Sequence, residues 1–242
     1  MSKLSNFGYS KVTPKEKTKL VQKVFSDVAF NYDLMNDVMS FGAHRLWKRA
    51  FIDIVNPSNC DRIIDVGSGS GDLVLEIQKR SLNAKIDIID LNKEMLKEGG
   101  KRIKKGNVRF YQQNAESLNL AENSYDKYII SFCLRNITNI DQSLKEAFRV
   151  LKPGGQYYCL EFSQPSSFLI SKIYSYYKSN LIPSLGKIFS NNRDAYNYLN
   201  ESIDMFPNQE DLKKRMCSAG FKSVKFINLF DGIVSIHTGY KY

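Results

Sequence analysis

The run Arg62–Ile63–Ile64–Asp65–Val66–Gly67–Ser68–Gly69–Ser70–Gly71–Asp72 constrains the fold more than any other part of the chain. An apolar stretch of strand type ends near an acid, Asp65, and three alternate glycines then turn the backbone. Leu73–Val74–Leu75–Glu76–Ile77 begins a helical pattern. Strand, glycine turn and helix together bring backbone N–H groups close to an anion or a polar cofactor. A Cβ in the turn would block that approach, and glycine tolerates positive φ. A tight βα turn that binds nothing has the same local pattern. Asp72 stands where a G-x-G-x-x-G fingerprint has its last glycine, which opposes a nicotinamide oxidoreductase. Asp90 closes the next strand-like run, Ile86–Asp87–Ile88–Ile89–Asp90. A carboxylate there can accept from both hydroxyls of a ribose. It can also serve the start of the helix that follows, and both roles can hold together.

The pattern along the chain alternates. Residues 1–12 read as loose, and Pro14 to Phe30 reads as a helix with proline at its start. Short helices follow, around 32–36 and 44–51. Strands are expected at 61–66, 85–90, 107–112, 125–131 and 156–162, with helices at 71–81, 92–104 and 141–151. Lys152–Pro153–Gly154–Gly155 reads as a sharp turn. Residues 165–206 read as a helical insertion, followed by a helix at 208–218 and strands at 221–227 and 233–240 around the hairpin signal Asp231–Gly232. Repeated βα units predict an α/β fold with a mostly parallel, seven-stranded sheet and helices on both faces. Its last strand is antiparallel. The expected organisation is an N-terminal helical extension (1–56), an α/β core (57–164), a helical insertion over the substrate site (165–206) and a C-terminal helix and hairpin (207–242) within one domain.

Parallel strands set their carboxyl ends along one edge, where ligands bind. Four such ends carry candidates: Gly67, Gly69 and Ser70 with Asp65; Asp90; Asn114 and Ala115; and Ser131. The Asn114 amide both donates and accepts, which suits an adenine edge; a plain turn residue explains it equally. Composition narrows the chemistry. Four scattered cysteines and two histidines supply no metal cluster, and the cysteines read as reduced, in a cytoplasmic protein. No secretory leader or membrane-spanning run is expected. The net charge of +10 fits a solvated lysine-rich surface, an anionic membrane surface or a nucleic acid.

Longer signatures carry a resemblance. The glycine loop with Asp90 behind it resembles class I S-adenosylmethionine-dependent methyltransferases, which have a Rossmann-like fold. Tyr32-Asp-Leu-Met35-Asn36-Asp-Val-Met-Ser40-Phe-Gly-Ala-His44-Arg-Leu-Trp47 and Arg149-Val-Leu-Lys-Pro153-Gly-Gly155-Gln-Tyr-Tyr-Cys-Leu-Glu161-Phe-Ser163 resemble the ubiquinone/menaquinone biosynthesis C-methyltransferases, the UbiE family. Ser131-Phe-Cys-Leu-Arg135-Asn136 and His237-Thr-Gly-Tyr240-Lys241 do likewise, so the similarity runs from about Val24 to Tyr242. It implies methyl transfer from S-adenosylmethionine to a ring carbon of a polyprenyl quinol. It places Gly67, Gly69, Ser70, Asp90, Asn114, Ala115 and Ser131 around the cofactor. Ser70 replaces the family's usual threonine, and Cys133 its common glycine. A methyltransferase of the same fold acting on RNA or another small molecule is the rival reading. It is opposed by the quinol-type signatures and the lack of an arginine-rich arm, so no nucleic-acid partner is expected.

A quinol carbon becomes a good nucleophile when a neighbouring hydroxyl loses its proton, and a cation beside that oxygen favours the loss. Arg135, after the fourth strand, is the candidate cation, with Asn136 as helper; pairing with a surface carboxylate is its other reading. His44 is a candidate base or ring partner, or else a packing residue. Tyr32 and Met35 read as a lid over the cofactor or as core. His237 is assigned no chemistry. Residues 162–193 lack Asp and Glu and mix Lys172, Lys178, Lys187 and Arg193 with apolar side chains. That mixture suits peripheral contact with an anionic membrane on its inner face. A homodimer or a quinone-biosynthesis complex stays open.

Overall fold

The computed structural model describes residues 4–103, 106–177 and 193–242. The sheet strands are β3 (Arg62–Val66), β4 (Lys85–Asp90), β5 (Val108–Gln112), β6 (Tyr125–Ser131), β7 (Leu151–Phe162), β8 (Lys222–Leu229) and β9 (Val234–Tyr240). They pair in the order β5-β4-β3-β6-β7-β9-β8. Only β9 runs against its neighbours. This is the Rossmann-like α/β sheet that the alternation predicts.

The inner strands β3, β4 and β6 are mostly buried because both faces of the sheet are covered there, whereas the edge strands β5 and β8 are largely exposed. Along β7, Tyr157 and Cys159 join one core while Tyr158 and Leu160 join the other. The first core packs under α6 (Ile140–Val150) and α9 (Gln209–Ser218). The second packs under α3 (Ala43–Val55) and α4 (Asp72–Arg80). Helix starts follow their caps. Thr13 closes a capping box on α1 (Pro14–Val28), and Asn92 accepts from Glu94 and Met95 at the head of α5 (Lys93–Arg102). Helices α2 (Tyr32–Ser40), α7 (Phe168–Tyr176) and α8 (Arg193–Asp204) complete the described elements around the site.

Two expectations need correction. Residues 1–12 are not loose where described: β1 (Ser5–Phe7) and β2 (Ser10–Val12) form a hairpin. Its stabilising partners are distant in sequence. The Phe7 ring stacks on Tyr198 at 4.4 Å, and the Tyr9 hydroxyl donates to Asp204 at 2.7 Å. Nor does Lys152–Gly155 separate a helix from a new strand. Strand β7 already begins at Leu151, and the register with β6 jumps from Tyr125↔Leu151 to Lys127↔Gln156. The glycines make a bulge inside one strand, with Gly154 at φ +81°. The basic and apolar residues Lys178, Leu181, Ile182 and Lys187 lie outside the described residues.

His237 is buried in β9, with Nε2 2.9 Å from the Gln209 carbonyl oxygen. Burial pushes its pKa down to about 4 from 6.5. The unfolded chain therefore takes up a proton that the folded chain refuses. Stability is full above about 6.5 and falls as pH drops toward about 4. Urea melts should show His237→Gln removing about 2 kcal/mol of the stability lost between about pH 7 and about pH 5. Parallel curves for the two proteins would contradict this assignment.

Candidate active site

The carboxyl ends of β5, β4, β3 and β6 are adjacent, so the glycine loop, Asp90 and Asn114 meet at one rim. The loop is pinned by Gly67 N–H donating to the Ile89 carbonyl at 2.7 Å. Gly67 and Gly69 take φ of +67° and +58°. A Cβ on Gly67 would collide with Cys133 Sγ, so glycine is required there by both space and conformation. Asp90 accepts from Gly69 N–H at 2.9 Å and from Asn92 N–H at 2.8 Å, one on each oxygen. Each oxygen keeps a further lone pair.

These groups border a cavity at the rim. Gly67, Gly69, Asp90, Asn114 and Ala115 all line it, with Ile89, Leu91 and Ile137 as apolar wall. Helix α1 supplies a side that sequence reasoning missed: Thr18, Val21, Gln22 and Phe25. Asn114 spends its Oδ1 on Glu116 N–H at 2.9 Å, a turn role, which leaves its amide N–H₂ as a donor. Asp65 lies beneath the loop. Its Oδ2 accepts from Ser68 at 2.6 Å, while Oδ1 is buried with no partner among the described residues. Burial pushes its carboxyl up to about 7, and the Asp90 charge adds to that. The bare glycine backbone, a carboxylate with spare lone pairs and an unsatisfied buried acid fit a nucleoside ligand that carries positive charge.

Ser70 and Ser131 are not among the residues that line this cavity. Ser70 Oγ donates instead to Asp33 Oδ1 at 3.2 Å. With Arg102 bridging Asp33 and Asp72, and Lys48 on Asp72 at 2.7 Å, it ties α2 and α3 onto the loop. The Ser131 hydroxyl is buried with no partner among the described residues.

A second, larger cavity adjoins the first. Its wall is mostly apolar: Met39, Trp47, Phe162, Ile170, Tyr174 and Ile203 are among its residues. Tyr32 and Phe132 line both cavities. Phe132 is the least expected residue here. It holds φ +51°, a conformation rare for a bulky side chain, and its ring packs 4.8 Å from Phe162. It lies inside the signature Ser131–Asn136, but nothing in that run announces the backbone twist. Met35 packs beside Met39 and Tyr196 rather than over the cofactor cavity.

Arg135 and Asn136 divide between the two spaces. Asn136 borders the first cavity and accepts from the Tyr198 hydroxyl at 3.0 Å. Arg135 borders the second. Its partner is a buried carboxylate, not a surface one: Nη1 donates to Glu161 Oε1 at 2.8 Å and to the Phe132 carbonyl at 2.6 Å. Its Nε is buried with no partner among the described residues. Burial pushes the Glu161 carboxyl up, and Arg135 pulls it back. Also lining the second cavity are Lys48 and His44.

The model of the ubiE/COQ5 methyltransferase family matches residues 12–241. Ubiquinone/menaquinone biosynthesis C-methyltransferase UbiE of Rickettsia bellii is 45% identical over 98% of this chain and 98% of its own length. The protein of the same name from Hydrogenovibrio crunogenus is 44% identical over 99% of this chain and 96% of its own. Solved structures share the fold at low identity. An S-adenosylmethionine-dependent methyltransferase from Thermotoga maritima superposes with a TM-score of 0.67 at 20% identity, covering 91% of this chain and 99% of that one. Phosphoethanolamine N-methyltransferase 2 of Haemonchus contortus, in complex with S-adenosylmethionine, gives 0.61 at 16%, covering 83% and 52%. The chain belongs to the ubiE/COQ5 methyltransferase family.

Proposed function

We propose that the chain moves a methyl group from S-adenosylmethionine to a ring carbon of a polyprenyl quinol, in ubiquinone or menaquinone biosynthesis. Family membership supports the reaction class. The observation that carries the substrate class is the pair of cavities. A space rimmed by the Asp90 carboxylate and the glycine loop abuts a larger, more apolar one, and Tyr32 and Phe132 belong to both. A nucleoside donor and an oily acceptor need that arrangement.

When bound, S-adenosylmethionine supplies an electrophilic methyl carbon. The protein's residues do the rest. Asp90 holds the ribose, the glycine loop seats the polar end, and Asn114 and Ala115 border the base. Ser70 acts at one remove, by fixing the loop to α2 through Asp33. Ser131 stands at the carboxyl end of β6 just before Phe132, and its buried hydroxyl, which has no partner among the described residues, would be satisfied by the ligand or by water. Tyr32 and Phe132 orient the ring against the methyl carbon, because in-line displacement requires contact of ~3–3.5 Å. Arg135 favours the ionised quinol oxygen; it remains protonated throughout and acts as a fixed charge. The apolar walls exclude water and strengthen that charge.

The acceptor's tail reaches the cavity from a membrane. Phe41 and Phe230 line the apolar cavity yet are 76% and 60% exposed, so they stand at its mouth. Phe168, Leu169 and Tyr176 on α7 are also exposed, while Ile170 and Tyr174 of the same helix face the cavity. Lys172 lies over the Phe168 ring. Such a face suits peripheral insertion into an anionic surface. No helix among the described residues is long and apolar enough to cross a membrane. In flotation with phosphatidylethanolamine–phosphatidylglycerol vesicles, Phe168→Glu with Leu169→Glu should lower the bound fraction roughly tenfold. Equal flotation of the variant and the parent would remove α7 from the interface.

The reaction is tested with methyl-labelled S-adenosylmethionine and two reduced acceptors side by side, demethylmenaquinol and 2-methoxy-6-polyprenyl-1,4-benzoquinol. Label in the ring of either supports the reading and names the ring. Label in neither overturns it.

A further inference from the structure

His44 opens α3, behind Gly42 at φ +75°, and its ring borders the apolar cavity with Tyr32, Lys48 and Arg135. The residue is 4% exposed. Its Nε2 lies 2.8 Å from Asp37 Oδ1 on α2. Asp37 is held in turn by Arg45, through Nε at 2.7 Å and Nη2 at 2.6 Å. Those hydrogen bonds from Arg45 keep the Asp37 carboxyl far below the usual range, so it is ionised and only accepts. The hydrogen between the two must therefore sit on His44 Nε2. Nδ1 is left as a bare lone pair, and it is buried with no partner among the described residues. Buried acceptors are nearly always satisfied, so an unsatisfied one beside a cavity marks the place of a missing donor. The other histidine differs: His237 is tied to a backbone carbonyl in β9, away from both cavities.

We propose that His44 Nδ1 is the general base that takes the proton from a hydroxyl of the quinol ring, with Asp37 as the residue that fixes its tautomer. This rests on the quinol-methylation reading above. The hydroxyl proton passes to Nδ1, and the ring carbon then bonds to the methyl carbon while sulfur keeps the electron pair of the bond it loses. The methylated carbon sheds its own hydrogen as a proton, and the ring oxygen takes back the proton held at Nδ1. One proton is released per methyl transferred, and no oxidant or reductant is consumed. A 1,4-diol has two oxygens, and this cavity offers His44 to one and Arg135 to the other.

Charged and titratable neighbours act on His44 from several elements. Burial and the Lys48 charge lower its pKa, and Asp37 and Asp72 oppose them. Arg45 neutralises Asp37, while Tyr32, Arg135, Tyr174 and Tyr177 share the cavity. The net direction is downward from 6.5, so the ring is a free base at neutral pH.

The test combines spectra and kinetics on the full chain. With only two histidines, long-range proton–nitrogen spectra are assigned by His44→Gln alone. The expected spectrum shows His44 protonated on Nε2, with an Nδ1 signal that moves when 1,4-naphthalenediol is added under reducing conditions. In Asp37→Asn the Nε2–H preference should be lost. The turnover of the parent should rise along an acid limb below 6.5, and His44→Gln should lose that limb. Turnover in that variant should fall roughly 10²–10⁴-fold, recovering as the pH approaches that of phenol ionisation. Its affinity for S-adenosylmethionine should stay within about twofold of the parent's. Unchanged turnover in His44→Gln, an Nδ1–H tautomer, or an Nδ1 signal indifferent to the diol would each overturn the proposal. A parent enzyme that methylates neither quinol would instead remove the reading beneath it, which keeps the two failures distinct.

Discussion

Asp90→Ala is expected to weaken the binding of S-adenosylmethionine by roughly 10²–10⁴-fold. Two charge-assisted hydrogen bonds to ribose hydroxyls are each worth about 1.5–3 kcal/mol, and every 1.4 kcal/mol is about tenfold in affinity. A second loss adds to the first. The same carboxylate accepts from Gly69 and Asn92 N–H, so alanine also frees the glycine loop and unties the head of α5. Asp90→Asn keeps one acceptor and should fall between alanine and the parent. Calorimetry gives the affinities, and near-ultraviolet circular dichroism shows whether the fold is intact. Binding by a folded Asp90→Ala protein within about threefold of the parent would contradict the role given to this carboxylate.

Arg135→Ala is expected to act twice, on stability and on turnover. It strands Glu161, which is fully buried, without its counter-charge. Breaking a buried pair from one side costs about 3–5 kcal/mol. The stranded acid should then hold its proton to higher pH, because burial already raises it and the Arg135 charge is the foremost of the effects that oppose that. A carboxyl pKa raised in the folded state means stability lost as pH rises from the unfolded value toward the folded one. So the variant's deficit should grow from acid toward neutral pH. Turnover should fall by roughly 10²–10³-fold, as when an oriented charge is removed from a developing anion. The double variant Arg135→Met, Glu161→Leu separates the effects. An apolar pair of similar volume should restore most of the stability, but not the turnover. Recovery of both would make Arg135 a structural residue only.

Much of the rim was legible before any coordinates. A repeated βα pattern can only place Asp65, Gly67, Asp90 and Asn114 along one edge, because parallel strands share their carboxyl ends. What escaped depends on register and on distant partners. Glu161 stands in a quoted signature, but its pairing with Arg135 follows from β6 and β7 lying side by side, with Ser131 opposite Leu160. The left-handed twist at Phe132 has no sequence marker, since glycine would announce it and phenylalanine does not. The β1–β2 hairpin depends on Tyr198, Glu201 and Asp204, nearly two hundred residues away. Helix α1 reads as an amphipathic helix, yet nothing local says that Val21 and Phe25 border the cofactor cavity. Ser70 shows the opposite case: its hydroxyl looked like a ligand group, and it reaches Asp33 instead.

The junction of the two cavities at Tyr32 and Phe132 is where the whole account is most exposed. A crystal structure with S-adenosylhomocysteine and a short-tailed quinol measures it directly. The expected complex has ribose hydroxyls on Asp90, sulfur beside the Tyr32–Phe132 wall, and the quinol ring on the far side between His44 and Arg135. A nucleoside seated elsewhere, or a ring that cannot approach the sulfur from the apolar side, would contradict it.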